Sequence, residues 1–308
     1  MKCPRRLALT LLAFFILGGS GSEARAIGIW HREYAAARNE AVAEGKNLLI
    51  VFTGTDWIEI CTKFYDEILG QPEFIDAVSS EFALLKLEYP KDSKLPREEA
   101  VQKALLRDAY RVRGFPTVVL TDAEGRPFGL NGFQPTSPKE YAGQLLGIVT
   151  TNEEGLAAAK EADAHSGSEK AKRLSRGIPD LPGALVARFY RKEMEAVLAA
   201  DPDDSLKLRE PFQKLIVESE YERSSQALAR ESKWAELIAL TDRFIAEQKL
   251  AGAELQGALI NRSGFERRAG QQDTATATLR EALAIDPESG AGQEAARLLA
   301  GGTSEAGI

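Results

Sequence analysis

Short, continuous apolar runs separate longer stretches of mixed character in the first half of the chain. The runs at residues 47–52 (NLLIVF), 83–89 (ALLKLEY) and 117–121 (TVVLT) have the length and composition of β-strands. Because the first two runs lack polar alternation, we expect these strands to be buried in a sheet. Residues 127–133 follow a turn at 123–125 and predict a further strand at the edge of that sheet.

Helical spacing of apolar residues lies between these strands. We predict helices over residues 30–46, 59–69 and about 96–110, with a short helical segment within 72–82. The helix over 59–69 carries its apolar residues on one face: Cys61, Phe64, Tyr65, Ile68 and Leu69. The helix over 96–110 does the same with Ala100, Val101, Ala104, Leu105 and Ala109.

A capping signal marks the last helix of this half, over residues 137–149. Ser137 stands at the N-cap, Pro138 at the first helical position and Glu140 three residues after the serine, which is a capping box. Strands that alternate with helices, followed by a hairpin and this closing helix, predict a central sheet that helices cover on both faces.

The second half of the chain is helical in pattern. We predict a helical linker over residues 151–183, which ends in a cluster of Gly and Pro, and an α-helical domain over 184–301. Its predicted helices lie near 184–200, 205–229, 232–248, 252–268 and 273–285. The segments EAVLAADPDDS at 195–205 and EALAIDPESG at 281–290 both place Asp-Pro after a helix, where it stops the helix. They indicate either stacked helical hairpins or two helices that end alike by coincidence.

The N-terminus has the pattern of a secretory signal peptide over residues 1–26. Basic residues at 2, 5 and 6 precede an apolar stretch over 7–17, and Ala24-Arg25-Ala26 is a small-x-small cleavage site. We therefore expect a mature chain that begins near Ile27 and is exported to the periplasm or the outside of the cell. No later segment reaches the roughly 20 apolar residues of a membrane span, so we expect no integral membrane segment after cleavage.

Charge argues against two classes of partner. The full chain of 308 residues has a formal charge of −7. Removal of residues 1–26, which carry four bases and one acid, leaves 35 basic and 45 acidic side chains and a charge of −10. An acidic surface of this kind disfavours nucleic acid and anionic membrane as partners.

Cysteine content limits the redox chemistry. The chain has two cysteines, and Cys3 leaves with the predicted signal peptide, so Cys61 is the one thiol of the mature protein. An internal disulfide then cannot form, although the exported compartment permits disulfides. Neither cysteine nor histidine stands at metal-ligand spacing from Cys61, so we expect no metal site and no cofactor.

Residues 30–150 resemble the thioredoxin family, and we assign residues 27–150 to this domain. An apolar strand leads into FTGTDW and a helix, where the family has W-C-x-x-C; Arg113-Gly114-Phe115-Pro116-Thr117 matches the family's cis-proline segment; and a hairpin with a closing helix follows. The resemblance implies a thioredoxin-like fold with a mixed central sheet, and a cis peptide bond at Pro116. The residues from 184 onward resemble tetratricopeptide-type helical hairpins.

The resemblance breaks at the redox motif, which reads Trp57-Ile58-Glu59-Ile60-Cys61. Ile58 stands where the family has its attacking cysteine, and Cys61 stands where it has the resolving one. The buried acid that many thioredoxins carry six residues before the first cysteine is replaced by Phe52. Since exchange needs an attacking thiolate and a second thiol, this degenerate motif lacks a part that the chemistry requires.

Two interpretations of Cys61 follow. As one apolar position of a helix face, it is a small buried hydrophobe, and burial disfavours its thiolate. Alternatively it is a reactive single thiol that forms mixed disulfides or links two chains. Asp56, just before the motif, is interpreted as a helix cap rather than an acid catalyst.

Three functions remain open from the sequence. The first is a redox-inactive exported protein that binds a protein or peptide in the cell envelope at an apolar surface of Trp57, Ile58, Phe115 and Pro116, with the helical tail as a second binding surface. The second is a thiol-disulfide oxidoreductase-related enzyme that uses Cys61 alone. The third is an envelope subunit joined as a disulfide-linked dimer through Cys61.

Overall fold

The structure, a computed structural model, describes residues 30–92 and 95–301. The predicted signal peptide over residues 1–26 lies outside the described residues. Within them, no helix combines the length and the apolar character that a membrane crossing requires.

A five-stranded mixed sheet forms the centre of the first half of the chain. Its strands are β1 (Trp30–His31), β2 (Asn47–Thr53), β3 (Phe82–Glu88), β4 (Thr117–Thr121) and β5 (Pro127–Asn131), in the order β1-β3-β2-β4-β5. β2 is parallel to β3 and antiparallel to β4, while β5 is antiparallel to β4. The three strands predicted from apolar runs are confirmed, and so is the edge strand predicted after the turn, which ends at Asn131, earlier than expected.

β1 corrects the prediction of a helix over residues 30–46. Trp30 and His31 pair in parallel with Leu84 and Leu85 of β3, and the helix α1 runs from Tyr34 to Glu44. A two-residue strand is too short to show a periodic pattern of apolar residues in the sequence. It is identified only by its pairing with β3.

Helices fill the connections between the strands. They are α2 (Glu59–Phe64), which continues as a π-helical turn (Tyr65–Leu69), α3 (Pro72–Val78), α4 (Arg97–Ala109) and α5 (Pro138–Lys160). The predicted inner face of α2 is confirmed, because Cys61, Phe64, Ile68 and Leu69 are all buried. The core around β2, β3 and β4 packs Leu49, Leu84 and Val118 against Phe64 and Tyr141.

α4 has the predicted position but not a buried apolar face. Val101 and Leu105 are 52% and 62% exposed, while Lys103 on the other side is buried. The Lys103 ammonium donates to the Glu88 carbonyl at 2.6 Å and lies 2.7 Å from Glu99. Polar contacts of Lys103 therefore orient this helix, and an apolar stripe read from the sequence gives the wrong face.

The capping box at the start of α5 is confirmed. The Glu140 carboxylate accepts the Ser137 backbone N–H at 3.1 Å, and the Glu140 N–H donates to the Ser137 hydroxyl oxygen at 3.3 Å. Hydrogen bonds from Thr136 and Ser137 lower the pKa of Glu140. The helix continues to Lys160, well past the predicted end at residue 149.

A second compact unit comprises Gly155–Ile178 and the residues from Pro182 onward; the first runs to Glu154 and includes Pro179–Leu181. The helices of the second unit, after the end of α5 and a short 3-10 turn (Ala162–Ala164), are α6 (Gly167–Arg176), α7 (Gly183–Phe189), α8 (Arg191–Ala200), α9 (Arg209–Arg230), α10 (Trp234–Gln248), α11 (Gly252–Arg268), α12 (Gln272–Ile285) and α13 (Gly290–Leu299). The predicted helix over 184–200 is broken at Tyr190, and α13 was not predicted. The domain limits at 150, 183 and 301 stay predictions.

Each helix from α9 to α13 packs against the next, as in stacked helical hairpins. α8 ends before Asp201-Pro202 and α12 ends before Asp286-Pro287, so both predicted helix stops are confirmed. Leu259, Leu279 and Leu298 join α11, α12 and α13 in one buried cluster. The tetratricopeptide resemblance of this unit stays an expectation.

We predict that Ser137→Ala lowers the free energy of unfolding of the first unit by about 1 kcal/mol, because a helix N-cap loses its side-chain acceptor. Urea unfolding measures this change through Trp30 and Trp57 fluorescence in a Trp234→Phe background. Thr150→Ala is the control on the same helix, since the Thr150 hydroxyl donates to the Leu146 carbonyl and caps nothing. Equal losses in the two variants would contradict the capping role of Ser137.

Candidate functional site

The site lies where β2 turns into α2. Residues 54–58 form the turn, in which the Gly54 carbonyl accepts the Trp57 N–H at 3.3 Å and the Ile58 N–H at 2.9 Å. Ile58 is the N-cap of α2, with φ −119° and ψ 104°, and its carbonyl accepts the Cys61 N–H at 2.9 Å. The helix start, where unpaired N–H groups would stabilise a thiolate, thus carries an apolar side chain that cannot ionise.

Asp56 does not cap the helix, which corrects the interpretation from the sequence. Its Oδ2 accepts the backbone N–H of Lys91 at 3.2 Å. Because the Gly54 turn includes both Trp57 and Ile58, the N-cap falls on Ile58, two residues after the acid. Asp56 instead ties the turn to the segment after β3.

Cys61 is one turn further along α2 and faces inward. Its side chain is 1% exposed, and its thiol is free. The prediction that Cys61 occupies the buried face of the helix is confirmed. Glu59 and Ile60, which complete the motif, are exposed in the first turn.

Trp57 is a large apolar side chain held in an exposed position. Its ring is 47% exposed, and its Nε1 donates to the Tyr89 carbonyl at 2.8 Å. The ring meets Phe115 edge to face, with 6.4 Å between centroids and an interplanar angle of 90°. Gly54 lies beneath the indole, and a Cβ there would be 2.5 Å from Nε1. The absence of a side chain at Gly54 allows the indole to take this position.

The cis-proline segment approaches the same turn. The Phe115–Pro116 peptide bond is cis, as predicted. Thr117 pairs with Phe52 in the antiparallel ladder between β4 and β2, so Pro116 stands beside the end of β2. The structure therefore brings Trp57 and Phe115 into contact, and it places Ile58 and Pro116, both half-buried, in the two loops that carry them.

Tyr89 joins the two loops and was missed as a site residue. Its ring stacks on Phe115 at 4.8 Å and on Phe52 at 6.1 Å, and its hydroxyl donates to the Lys103 carbonyl at 2.8 Å. Burial raises the pKa of Tyr89. The signal in the sequence was its place directly after β3, because parallel neighbouring strands bring their C-terminal ends together at one edge of the sheet.

Phe52 and Glu88 lie next to the motif turn and have different roles. Phe52, at the place of the family's buried acid, is fully buried and makes an edge contact with Tyr110. The Glu88 carboxylate, opposite Thr53 in register, accepts the Thr55 backbone N–H through Oε1. Its Oε2 is buried without a hydrogen-bond partner among the described residues, and Lys86 Nζ lies 3.7 Å away. Glu88 thus fixes the motif turn, and the position beneath the motif is aromatic.

Within residues 30–92 and 95–301, no three His, Cys, Asp or Glu side chains lie together as metal ligands would. The residues of the site are apolar, aromatic or engaged with backbone groups. The arrangement presents an ordered apolar surface beside a buried thiol.

Comparisons with known proteins agree with this geometry. The family described as "Thioredoxin-like domain" matches residues 34–145. "Disulfide bond reductase DsbH" of Chlamydia pneumoniae is 30% identical over 112 residues, which are 36% of this chain and 68% of that protein. The chain belongs to the thioredoxin-like family.

Other proteins similar to this thioredoxin-like chain match between 39% and 45% of its length. "Thioredoxin-related protein DsbJ" of Chlamydia pneumoniae is 30% identical over 125 residues, which cover 40% of this chain and 36% of that protein. Among solved structures, "DsbH Oxidoreductase" is 27% identical with a TM-score of 0.39, covering 45% of this chain and 95% of that one. A thioredoxin from Thermus thermophilus is 20% identical with a TM-score of 0.31, covering 39% and 85% respectively.

We predict that Gly54→Ala displaces the Trp57 ring and destabilises the first unit by about 1–3 kcal/mol, because the new methyl group overlaps the indole. Acrylamide quenching of Trp57 fluorescence, in a Trp30→Phe, Trp234→Phe background, measures the ring's exposure and is expected to increase. Gly114→Ala is the matched control, since its Cβ meets no atom within 4 Å. Unchanged quenching in Gly54→Ala would show that the indole position does not depend on Gly54.

Proposed function

We propose that this thioredoxin-like protein binds an extended protein or peptide segment and does not carry out disulfide exchange. The observation that carries the proposal is the pair Ile58 and Cys61: an apolar residue caps the helix, and the remaining thiol is 1% exposed. The binding surface consists of Trp57, Ile58, Phe115 and Pro116.

The chemistry of exchange supports a redox-inactive motif. A thiolate attacks one sulfur of a disulfide, and a second thiol then releases the mixed disulfide as the pair becomes oxidised. Ile58 supplies neither a nucleophile nor a proton. With residues 1–26 removed, Cys61 has no second cysteine in the chain, so even an attack by Cys61 would end in a mixed disulfide.

The surface is suited to binding because it is apolar, exposed and fixed. Trp57 and Ile60 are 47% and 37% exposed, and contiguous exposed apolar side chains mark sites of protein interaction. The hydrogen bond to Tyr89 and the contact with Phe115 hold the indole in place before any partner arrives. A surface ordered in advance loses less conformational entropy on binding.

The compartment of this binding is proposed from the N-terminus. The basic, apolar and small-x-small order of residues 1–26 supports export to the periplasm or the cell exterior. The partner is then a protein or peptide of the cell envelope. Fractionation of cells that express the full chain tests this part, and retention of an uncleaved chain in the cytoplasm would contradict it.

A second candidate is a disulfide oxidoreductase-related enzyme that acts through Cys61. It is favoured by the name of one relative, "Disulfide bond reductase DsbH". This enzyme would need α2 to open, because the thiol faces the interior. The same opening would be required for a disulfide-linked dimer through Cys61, which non-reducing electrophoresis would reveal as a species that dithiothreitol removes.

We predict that Ile58→Asp weakens binding to an array of extended, cysteine-free peptides by about tenfold, because a charge enters an apolar contact that must lose water. Val42→Asp is the control. Val42 is 54% exposed on α1, and this substitution introduces the same charge outside the proposed surface. Equal binding by the wild type and Ile58→Asp would remove this surface from consideration.

We predict that the wild-type chain leaves the rate of insulin reduction by dithiothreitol at background, whereas Ile58→Cys raises it. The substitution restores a thiol at the helix start, three residues before Cys61, and so allows attack and release. Ile58→Ser is the control for size and polarity without sulfur. Stimulation by the wild type that Cys61→Ser abolishes would establish the enzyme instead.

A further inference from the structure

α9 differs from the other long helices of the second unit in what it buries. It has 22 residues, none of them buried, whereas α10, α11 and α12 each contain buried side chains. Leu215 packs towards α7, where its Cδ2 would lie 2.4 Å from a Cβ on Gly183. Ile216 and Val217 are half-buried and face a groove instead. The apolar side of α9 is thus incompletely covered.

The groove has a preformed apolar floor. It encloses about 690 Å³ between α9, α10 and the start of α11, and Ile216, Val217, Phe244 and Leu250 line it. The Phe244 ring stacks on Tyr221 with 4.1 Å between centroids, and the Tyr221 and Thr241 hydroxyls hydrogen-bond at 2.9 Å. These contacts fix α9 to α10, so the floor does not need to form on binding. The volume is typical of binding sites.

Acidic side chains surround this floor. Asp204, Glu210, Glu218 and Glu254 line the groove, against two bases, Arg209 and Lys214.

Both bases have local partners. The Arg209 guanidinium donates to the Pro202 carbonyl at 2.9 Å, and the Lys214 ammonium lies 2.5 Å from Glu254. Lys214 also lies 4.0 Å from Glu218, and its charge attracts the exposed Glu210. With four acids against two bases, the groove keeps an excess of negative charge.

We propose that this groove binds a peptide segment with an apolar centre flanked by lysine or arginine. The apolar centre would cover Ile216, Val217 and Phe244, and the basic flanks would meet the acidic rim. The groove is open to solvent, which lets a chain enter and leave. An acidic peptide would meet repulsion at the same rim. This site lies in the helical unit and goes beyond the surface at Trp57.

Fluorescence anisotropy with the purified chain lacking residues 1–26 tests the proposal. The probes are two labelled peptides with the same Leu-Phe-Leu centre, one flanked on each side by lysines and the other by glutamates. We expect the lysine-flanked peptide to bind about tenfold more tightly at low salt, and the difference to shrink at high salt. Equal affinities would overturn the proposal.

Two variants separate charge from apolar contact. Glu210→Lys is expected to weaken binding of the lysine-flanked peptide about tenfold, and Val217→Ser to weaken both peptides. Glu288→Lys carries the same charge change at an exposed position between α12 and α13, outside the groove, and should bind as the wild type does. Circular dichroism checks that the variants keep their helix content. Equal effects of Glu210→Lys and Glu288→Lys would overturn the site.

A mapping experiment does not depend on the folding of any variant. A lysine-flanked peptide with a photoreactive phenylalanine at its centre should crosslink to α9 or α10 near Val217 and Phe244. Crosslinks confined to the first unit would overturn the groove. The positions of the crosslinks show which of the two surfaces the peptide occupies, so the groove and the surface at Trp57 can fail independently.

Discussion

The position of the cysteine thiol on α2 limits the chemistry that is open to this protein. Ile58 caps the helix, and Cys61 follows it by three residues onto the inner face. Phe64 and Ile68 continue that face into the core, so the helix cannot rotate the thiol outward without exposing them. A thiol at the cap would meet the unpaired N–H groups of the helix start, whereas the thiol one turn later meets packed side chains. The proposed lack of disulfide exchange therefore rests on the position of the thiol along one helix.

The residues around the motif are held in place by a network of contacts. Tyr89 accepts the Trp57 indole through its carbonyl, stacks on Phe115 and hydrogen-bonds the Lys103 carbonyl, so one residue links β3, α4 and the cis-proline loop. Lys103 completes this network from the buried side of α4. These contacts hold an apolar surface in place. An ordered apolar surface with no nucleophile at the helix cap supports the proposal that this site recognises a partner.

Continuous apolar runs made the central strands of the first unit predictable. A strand that is buried on both faces is apolar along its own length, so it can be recognised without knowledge of the strands that pair with it. The cis-proline segment and the buried position of Cys61 were predicted for a similar reason, from a local motif and a helical period. What was missed depends on contacts between distant residues. β1 exists through its pairing with β3, and α4 turns Lys103 inward because the Glu88 carbonyl lies there. Asp56 accepts a hydrogen bond from a residue 35 positions away in the chain, and rules for helix capping consider only neighbouring residues.

The accessibility of the Cys61 thiol tests the central claim most directly. Alkylation of the folded chain without residues 1–26 by iodoacetamide at neutral pH, followed by mass spectrometry, compares its rate with the rate in denaturant. The account predicts that the folded chain reacts at least about a hundredfold more slowly, because reaction requires local opening of α2. Rapid modification of the folded chain, at the rate of the unfolded one, would contradict a buried and unreactive thiol.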